Sequence, residues 1–350
     1  MGRVRVALWA CAVALCVLAP PLPAADSGLQ ILRIGTGGTG GTYFPIGSLI
    51  AQAVSEQRDE DGRLRGSGVE KLLAVAQISN GSVANVDGMR RGVLDAALSQ
   101  SDVTYWAYHG MAIFGGKPRQ DDLRAVAHLY PESLHLVARK GSGITRVPDL
   151  AGKRVSLDEP GSGTVLDARF IIENYGLKES DLRSVYLKPH FAVQQIERGA
   201  LDAFFIFAGY PVAAINRLAG STGATLVPID GPAVERILEA HPYFSRGVIP
   251  NGTYGRSIIP AGTYKGVGDT PTLSVGAQLV IRAGVDADLV YALTRALWSE
   301  AAQRALREGH PKGGEIRLDN ALEGVSIPLH PGAARFYREA GLALPPGSSG

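Results

Sequence analysis

The apolar positions of the chain fall into short runs separated by turns rich in glycine and hydroxyl side chains, a pattern that predicts alternating strands and helices. Leu29 to Ile34 reads as a buried strand, and the Gly/Thr run from Gly35 to Pro45 follows it. Beyond that run Ile46, Leu49, Ile50, Ala53 and Val54 recur at helical spacing. Pro45 suits the first turn of that helix, where a missing N–H costs nothing. Leu72 to Ile78 predicts a second strand running into the polar helix start Ser79-Asn80-Gly81-Ser82. Arg91 to Asp102 then predicts a helix end with Gly92 near its C-cap, a short strand at Ala96 to Ser99, and a polar strand end.

The second half repeats this plan. Arg154 to Leu157 predicts a strand, Glu159 to Thr164 a Gly/Ser/Thr turn, and Val165 to Tyr175 a helix. Arg91-Gly92-x-Leu94-Asp95-Ala96 is echoed by Arg198-Gly199-x-Leu201-Asp202-Ala203 at the same step of the same order. The expectation is two similar α/β lobes with parallel sheets. Tyr130 to Arg139 would carry the chain from the first lobe to the second and Thr270 to Arg282 would bring it back, making a hinge with two crossings and a cleft between the lobes. The division is then a signal peptide at 1–25, the first lobe at 26–129, the second at 130–268, a return to the first lobe with C-terminal helices at 269–343, and a frayed Pro/Gly/Ser-rich tail at 344–350.

The N-terminus changes how composition is weighed. Arg3 and Arg5, the apolar run Val6 to Leu18, and a Pro/Ala stretch ending at Ala24 and Ala25 have the layout of a cleaved secretory signal. The run is short of the roughly 20 residues a membrane-spanning helix needs, so the expected product is soluble and periplasmic. Cys11 and Cys16, the only cysteines, would leave with it, removing disulfides and thiolate chemistry. Cys16 follows Leu15 rather than a small residue, which argues against lipidation. Without Arg3 and Arg5 the 35 basic residues fall level with the 33 acidic ones, leaving no electrostatic footprint for nucleic acid.

Several chemistries can be weighed against spacing. Gly35-x-Gly37-x-x-Gly40 fits a dinucleotide-binding string, but Glu56 and Asp59 fall at a helix end and in a charged loop instead of ending the second strand. Ser162 follows Pro160-Gly161 and so lacks the first glycine of a nucleophile elbow. His190 and Asp202 have no diagnostic spacing to it, and the seven histidines form no metal-binding pair. No catalytic residue, metal or cofactor is expected. What the glycines do allow is a close backbone approach at a helix N-terminus, where unpaired N–H groups suit a carboxylate. The same holds at Gly161-Ser162-Gly163-Thr164, although Thr42 and Thr164 could instead only cap their own helices. Ser99 to Asp102 and Ala208 to Pro211 sit at corresponding strand ends, with Tyr43 or Tyr210 available to cover a ligand; Asp102 reads better as a cap of the next helix. Arg139 and Arg154 could each reach a carboxylate or serve strand ends.

Ile34 to Gly47, Asn80 to Asp102, Leu129 to Ile144, Asp149 to Thr164, Thr270 to Val280 and Asn320 to Gly341 together resemble the TAXI family, the TRAP-associated extracytoplasmic solute receptors. The resemblance implies a type II periplasmic-binding-protein fold, two α/β lobes joined by that hinge, which captures a small organic acid of the glutamate/glutamine or 2-oxo acid class and delivers it to TRAP membrane permease subunits. It places ligand contacts at Thr39, Gly41, Thr42, Tyr43, Ser82, Gln100, Ser101, Ser162, Gly163, Thr164 and Tyr210. The family usually has an acid where this chain has Ala84, on a helix flank. The same fold would also serve a periplasmic sensor presenting its liganded form to a membrane kinase, and an exported enzyme is a third class.

Overall fold

The computed structural model of the chain describes residues 28–58, 60–61, 68–240, 244–245, 248–249, 253–254 and 257–345. The expected signal segment 1–25 with its two cysteines, Asp59 and the tail residues 346–350 lie outside them.

The first lobe starts as the periodicity predicts: β1 (Gln30–Gly35), α1 (Tyr43–Val54), β2 (Leu72–Gln77), α2 (Ser82–Arg90), β3 (Ala96–Gln100) and α3 (Ser101–His109). Ile46, Ile50 and Val54 of α1 are wholly buried, one helical face laid on the sheet. One strand departs from expectation. β1 is only half buried, because Ile31 is 60% exposed and lies with Leu73 and Val75 of β2 on a face that no described element covers.

β4 (Leu123–Arg139) is a single strand of 17 residues. The second lobe follows with β5 (Arg154–Ser156), α4 (Gly163–Asn174), β6 (Arg183–Val185), α5 (Pro189–Glu197), β7 (Ala203–Ala208), α6 (Ala213–Gly220), β8 (Ala224–Val227) and α7 (Pro232–Ala240). Short strands β9 (Phe244–Ser245), β10 (Val248–Ile249), β11 (Thr253–Tyr254), β12 (Ser257–Ile259) and β13 (Thr270–Thr272) lead into β14 (Ser274–Arg282). Helices α8 (Ala287–Leu297), α9 (Glu300–Gly309) and α10 (Pro331–Glu339) then close against the first lobe. Tyr337 of α10 seals that contact by donating to the Val126 carbonyl at 2.9 Å.

The sheet order is β2-β1-β3-β14-β4-β7-β5-β6, with β8 on β4 and β9 on β14. Within it the same unit occurs twice. In the first lobe β1 is parallel to β2 and β3, and β3 is antiparallel to β14. In the second β5 is parallel to β6 and β7, and β7 is antiparallel to β4. β4 therefore belongs to both lobes: Leu123 to Ser133 pair with β14, and Ser133 to Ala138 pair with β7. At the crossing Pro131 lies opposite Gly276, and the pairing slips between Ala277 and Gln278. Proline brings no N–H to the ladder and glycine no side chain, so the crossing is where the shared strands bend most easily. This is the two-lobed type II periplasmic-binding-protein arrangement that the sequence leads one to expect.

The six-residue echo has a physical meaning. Gly92 and Gly199 both take positive φ, 73° and 70°, and end α2 and α5. Asp95 then accepts from the Arg33 amide at 3.0 Å and from its guanidinium at 2.9 and 3.0 Å, while Arg33 Nη2 reaches the Gly92 carbonyl at 3.2 Å. Asp202 accepts from the Arg154 amide at 3.0 Å and its guanidinium at 2.9 and 2.8 Å, and Arg154 Nη2 reaches the Gly199 carbonyl at 2.7 Å. A second arginine completes each clamp from the antiparallel strand, Arg282 on Asp95 at 3.0 Å and Arg139 on Asp202 at 3.1 Å. Arg139 and Arg154 thus serve strand ends.

Behind the clamps the strands carry the core. β7 is buried on both faces: Phe205 and Phe207 pack into the larger core, Phe204 and Ile206 into a smaller one formed with α5 and α6. Each such side chain contributes about 1.5–3 kcal/mol.

The bonds from Arg154 hold the Asp202 carboxyl well below the usual carboxylate range, against the opposing effect of burial. Its stabilisation is complete above the ordinary pKa of about 3.9 and is lost as pH falls through the depressed folded value. Asp202→Ala is expected to cost about 2–4 kcal/mol in urea unfolding at neutral pH, and to flatten the loss of stability on acidification. An unaltered urea midpoint would show that other contacts hold the two arginines.

Candidate functional site

The carboxyl ends of β1, β2, β3, β5, β6 and β7 open on one gap. A cleft of about 600 Å³, counting its open mouth, lies between the lobes. It is floored by Gln100 and by Ile206 to Ala208, and walled by the loops that leave β1, β2, β5 and β6. This is the carboxyl edge of both parallel sheets, where loops from neighbouring strands part and leave room for a ligand.

Each wall is built on a helix start. On the first lobe Gly37, Gly38, Gly40 and Gly41 lead to Thr42 and Tyr43 at the head of α1, and Gly81 and Ser82 head α2. On the second lobe Ser162, Gly163 and Thr164 head α4. A helix leaves its first amides without partners inside the helix and carries a partial positive charge there, so these starts favour an anionic group. Ser162 is the true cap of α4, accepting from the Val165 amide at 3.2 Å. Neither threonine caps its own helix. Thr42 Oγ1 donates across the gap to the Gly209 carbonyl at 2.8 Å, and Thr164 Oγ1 accepts from the Phe207 amide at 3.1 Å.

The lobes are in contact. Besides Thr42 to Gly209, Asn80 Nδ2 donates to the Pro160 carbonyl at 3.0 Å and the Ala84 amide to the Gly161 carbonyl at 2.9 Å. Gln100 Nε2 donates to Asp167 Oδ2 of α4 at 2.6 Å. Ala84, where the resembling family has an acid, therefore stands at the seam between the lobes. Gln100 also anchors a buried chain of polar groups. Its amide donates to Ser82 Oγ at 3.1 Å, Ser82 Oγ lies 3.4 Å from the Tyr43 hydroxyl, and that hydroxyl donates to Glu132 Oε2 at 2.7 Å.

Acids dominate the electrostatics. Burial pushes the Glu132 carboxyl up to about 8 despite the hydroxyl that Tyr43 donates to it. Burial pushes Asp158 up to about 7, and raises Glu159 although Lys188 pairs with it at 3.2 Å. Lys312, only 1% exposed, sits behind the cleft with its ammonium 2.7 Å from Glu315 and 3.8 Å from the centre of the Tyr210 ring. Lys188 and His190 are the only basic side chains among the described residues that line the cleft. No described group of three or more His, Cys, Asp or Glu is placed to hold a metal ion.

Of the residues singled out from sequence, Gly41, Thr42, Tyr43, Ser82, Gln100, Ser162, Gly163 and Thr164 line this cleft. Thr39, Ser101 and Tyr210 do not. Thr39 is exposed; Ser101 Oγ accepts from the Gly276 amide at 3.1 Å at the hinge; Tyr210 packs under Lys312. Asp102, read as a helix cap, is instead fully buried in the seam, and Gln100 occupies the cap position of α3. Sequence reasoning missed Glu132, Asp158, Glu159, Lys188 and His190. A lone acid within the apolar stretch Leu129 to Val137 was the available signal for Glu132, and the acid pair before Pro160 was the signal for the other wall.

The NMT1-like family matches residues 34–257 and 255–341. Among solved structures, a protein from Bordetella bronchiseptica RB50 is similar with 17% identity over 91% of each chain and a TM-score of 0.51. The alkanesulfonate-binding protein SsuA from Xanthomonas axonopodis pv. citri, bound to MOPS, is 16% identical, covering 90% of this chain and 94% of its own, with a TM-score of 0.46. An ancestral arginine-binding protein bound to arginine is 16% identical, covering 82% and 96%, with a TM-score of 0.41. At these identities the likeness is one of fold.

A methyl group on Gly163 would overlap Gln100 Oε1 and crowd Ser82 Oγ, both on the opposite lobe. Alanine is also the better helix former, so Gly163→Ala is expected to hold the lobes apart without lowering the melting temperature of the unliganded protein. Small-angle scattering should show a larger radius of gyration than the wild type; an equal radius would mean that the lobes meet in another way.

Proposed function

The chain belongs to the NMT1-like family, and we propose that it is the periplasmic solute-capturing subunit of a TRAP-type secondary transporter, closing on a small organic acid and presenting it to the membrane permease. The observation that carries this reading is the convergence of helix starts from both lobes on one cleft at the hinge. A ligand carboxylate there gains the amides and partial charge of α1 and α4 at once, and it gains both only when the lobes close. Differential affinity for the closed form makes capture and closure one event, and a permease can read closure as the sign of a loaded receptor.

Chemistry of the walls supports a receptor. Tyr43, Ser82, Gln100 and Thr164 are neutral groups tied into hydrogen bonds that fix their positions. They offer orientation to a ligand without activating it. The acids narrow the solute further. Glu132, Asp158 and Glu159 face the space with Lys188, and that lysine is already paired with Glu159. A purely anionic solute is met only by those carboxyls in their protonated form, whereas one bearing an ammonium or amide beside its carboxylate also supplies donors to the ionised form. L-Glutamate and L-glutamine therefore fit better than 2-oxo acids within the proposed class. The TRAP assignment rests on the sequence blocks that resemble the TAXI family.

After unfolding and refolding to strip any co-purified ligand, L-glutamate or L-glutamine is expected to raise the melting temperature of the mature protein more than 2-oxoglutarate does. At a hundredfold excess over Kd, mass action adds about 2.7 kcal/mol of stability. A panel of amino acids, 2-oxo acids and dicarboxylates that leaves the melt unmoved would overturn the solute class. Uptake into vesicles holding a TRAP permease, with and without this protein, tests the transporter.

A further inference from the structure

We propose that Asp102 and Asp167 form a proton-sharing pair that assembles only when the lobes meet, so that solute capture takes up a proton from the medium. The proposal rests on the closing receptor described above, but not on which solute it binds.

Asp102 lies in α3 of the first lobe and Asp167 in α4 of the second, and both are 0% exposed. The two carboxyls act on each other across the seam. One oxygen of each is already engaged: the Val103 amide donates to Asp102 Oδ1 at 2.7 Å, and Gln100 Nε2 to Asp167 Oδ2 at 2.6 Å. Asp102 Oδ2 and Asp167 Oδ1 are buried with no hydrogen-bond partner from any other group, which is what two carboxyls sharing one proton would leave. An ionised carboxylate only accepts, so a bond between two carboxyls needs a proton on one of them.

The surroundings hold that proton in place. Burial is the largest influence on both groups and raises both; the charge of Asp102 then lifts Asp167 well above the ordinary carboxylate range. The titratable neighbours come from other elements. Glu132 on β4 is a further acid whose charge acts on Asp167 and is acted on by Asp102. Tyr43 of α1 and Lys312 bear on Glu132. Neither aspartate lines the cleft, so the shared proton is held apart from the solute.

Parting the lobes breaks the Gln100–Asp167 bond and separates α4 from α3. Each aspartate then meets water and ionises with an ordinary pKa of about 3.9. The closed form keeps one proton that the open form releases. The carboxyl pKa is raised on closing, so the contribution to closure is whole below about pH 4 and falls as pH rises toward the closed-state pKa. The closed-to-open ratio should fall by up to about tenfold per pH unit across that window. Capture is then tight in an acid medium and looser in a neutral one.

The test uses the mature protein with dyes on Gln52→Cys and Glu173→Cys, exposed positions on α1 and α4. Energy transfer between them reports closure with no solute present. The expected result is a closed fraction that falls as pH rises in the parent, and a weaker pH dependence in Asp102→Asn and in Asp167→Asn, where an amide N–H replaces the proton and closure persists. Titration of L-glutamate in buffers of different ionisation enthalpy should show uptake of about one proton more by the parent than by either variant. Closure independent of pH in the parent, an unchanged slope in both variants, or a slope that follows sodium concentration instead of pH would overturn the proposal. Failure of L-glutamate to bind, with pH-dependent closure intact and weakened in the variants, would sink the solute assignment and leave the shared proton standing.

Discussion

The geometry of both lobes depends on an aspartate that gathers two arginines where a strand begins. Asp95 holds Arg33 and Arg282, and Asp202 holds Arg154 and Arg139. Each clamp binds the first parallel strand of its lobe to the antiparallel strand that crosses the hinge, and it does so at the edge of the sheet opposite the cleft. Backbone and guanidinium bonds to one carboxylate leave little freedom of register. Once register is fixed at that edge, the loops at the other emerge at set heights, and the helix starts they lead into converge. The arginines therefore act on the proposed solute site from a distance, by fixing the placement of groups that they never touch.

This separates two kinds of charge in the molecule. Apart from Lys188, which lines the cleft paired with Glu159, cations are used mainly at strand ends, at the surface, or behind the cleft, as Lys312 is under its pairing with Glu315. The cleft and seam hold the acids instead: Glu132, Asp158, Asp102 and Asp167, whose carboxyls burial pushes upward. Neutral hydroxyls and an amide connect them, from Glu132 through Tyr43, Ser82 and Gln100 to Asp167. A chain of this sort polarises as a unit, so a change in one carboxyl is felt by the others. The cleft and the lobe contact share that chain, since Gln100 lines the cleft and its side chain also ties the seam.

Much of the fold was legible because the residues that specify it act locally. Gly92 and Gly199 announce helix ends, the apolar spacing of α1 announces a buried face, and the echo around Asp95 and Asp202 announces a repeat. The Gly/hydroxyl turns were legible for the same reason. Less legible was anything decided by a partner far along the chain. Thr42 and Thr164 have the chemistry of caps, but Gly209 and Phe207 determine what they bond. Asp102 follows a strand and opens a helix, as a cap would, yet it meets Asp167, 65 positions away, only because the lobes fold over each other. Glu132 is marked out only as a lone acid in an apolar run, and nothing local says that it faces a cavity between lobes rather than solvent. The exposed Ile31 likewise depends on the helices stopping short of one face, which no local pattern records.

The strand β4 has a further consequence. Because one half of it pairs with β14 in the first lobe's ladder and the other half lies between β7 and β8 in the second's, neither lobe owns a complete set of backbone partners. Excising either one together with this strand would leave the other with raw, unpaired strand margins. The cooperative unit of folding is thus the whole polypeptide, though the working unit is a pair of jaws. A chain of this design can diversify by altering the turns at its mouth, but it cannot trade one jaw for a foreign one without re-weaving the strand that both of them share.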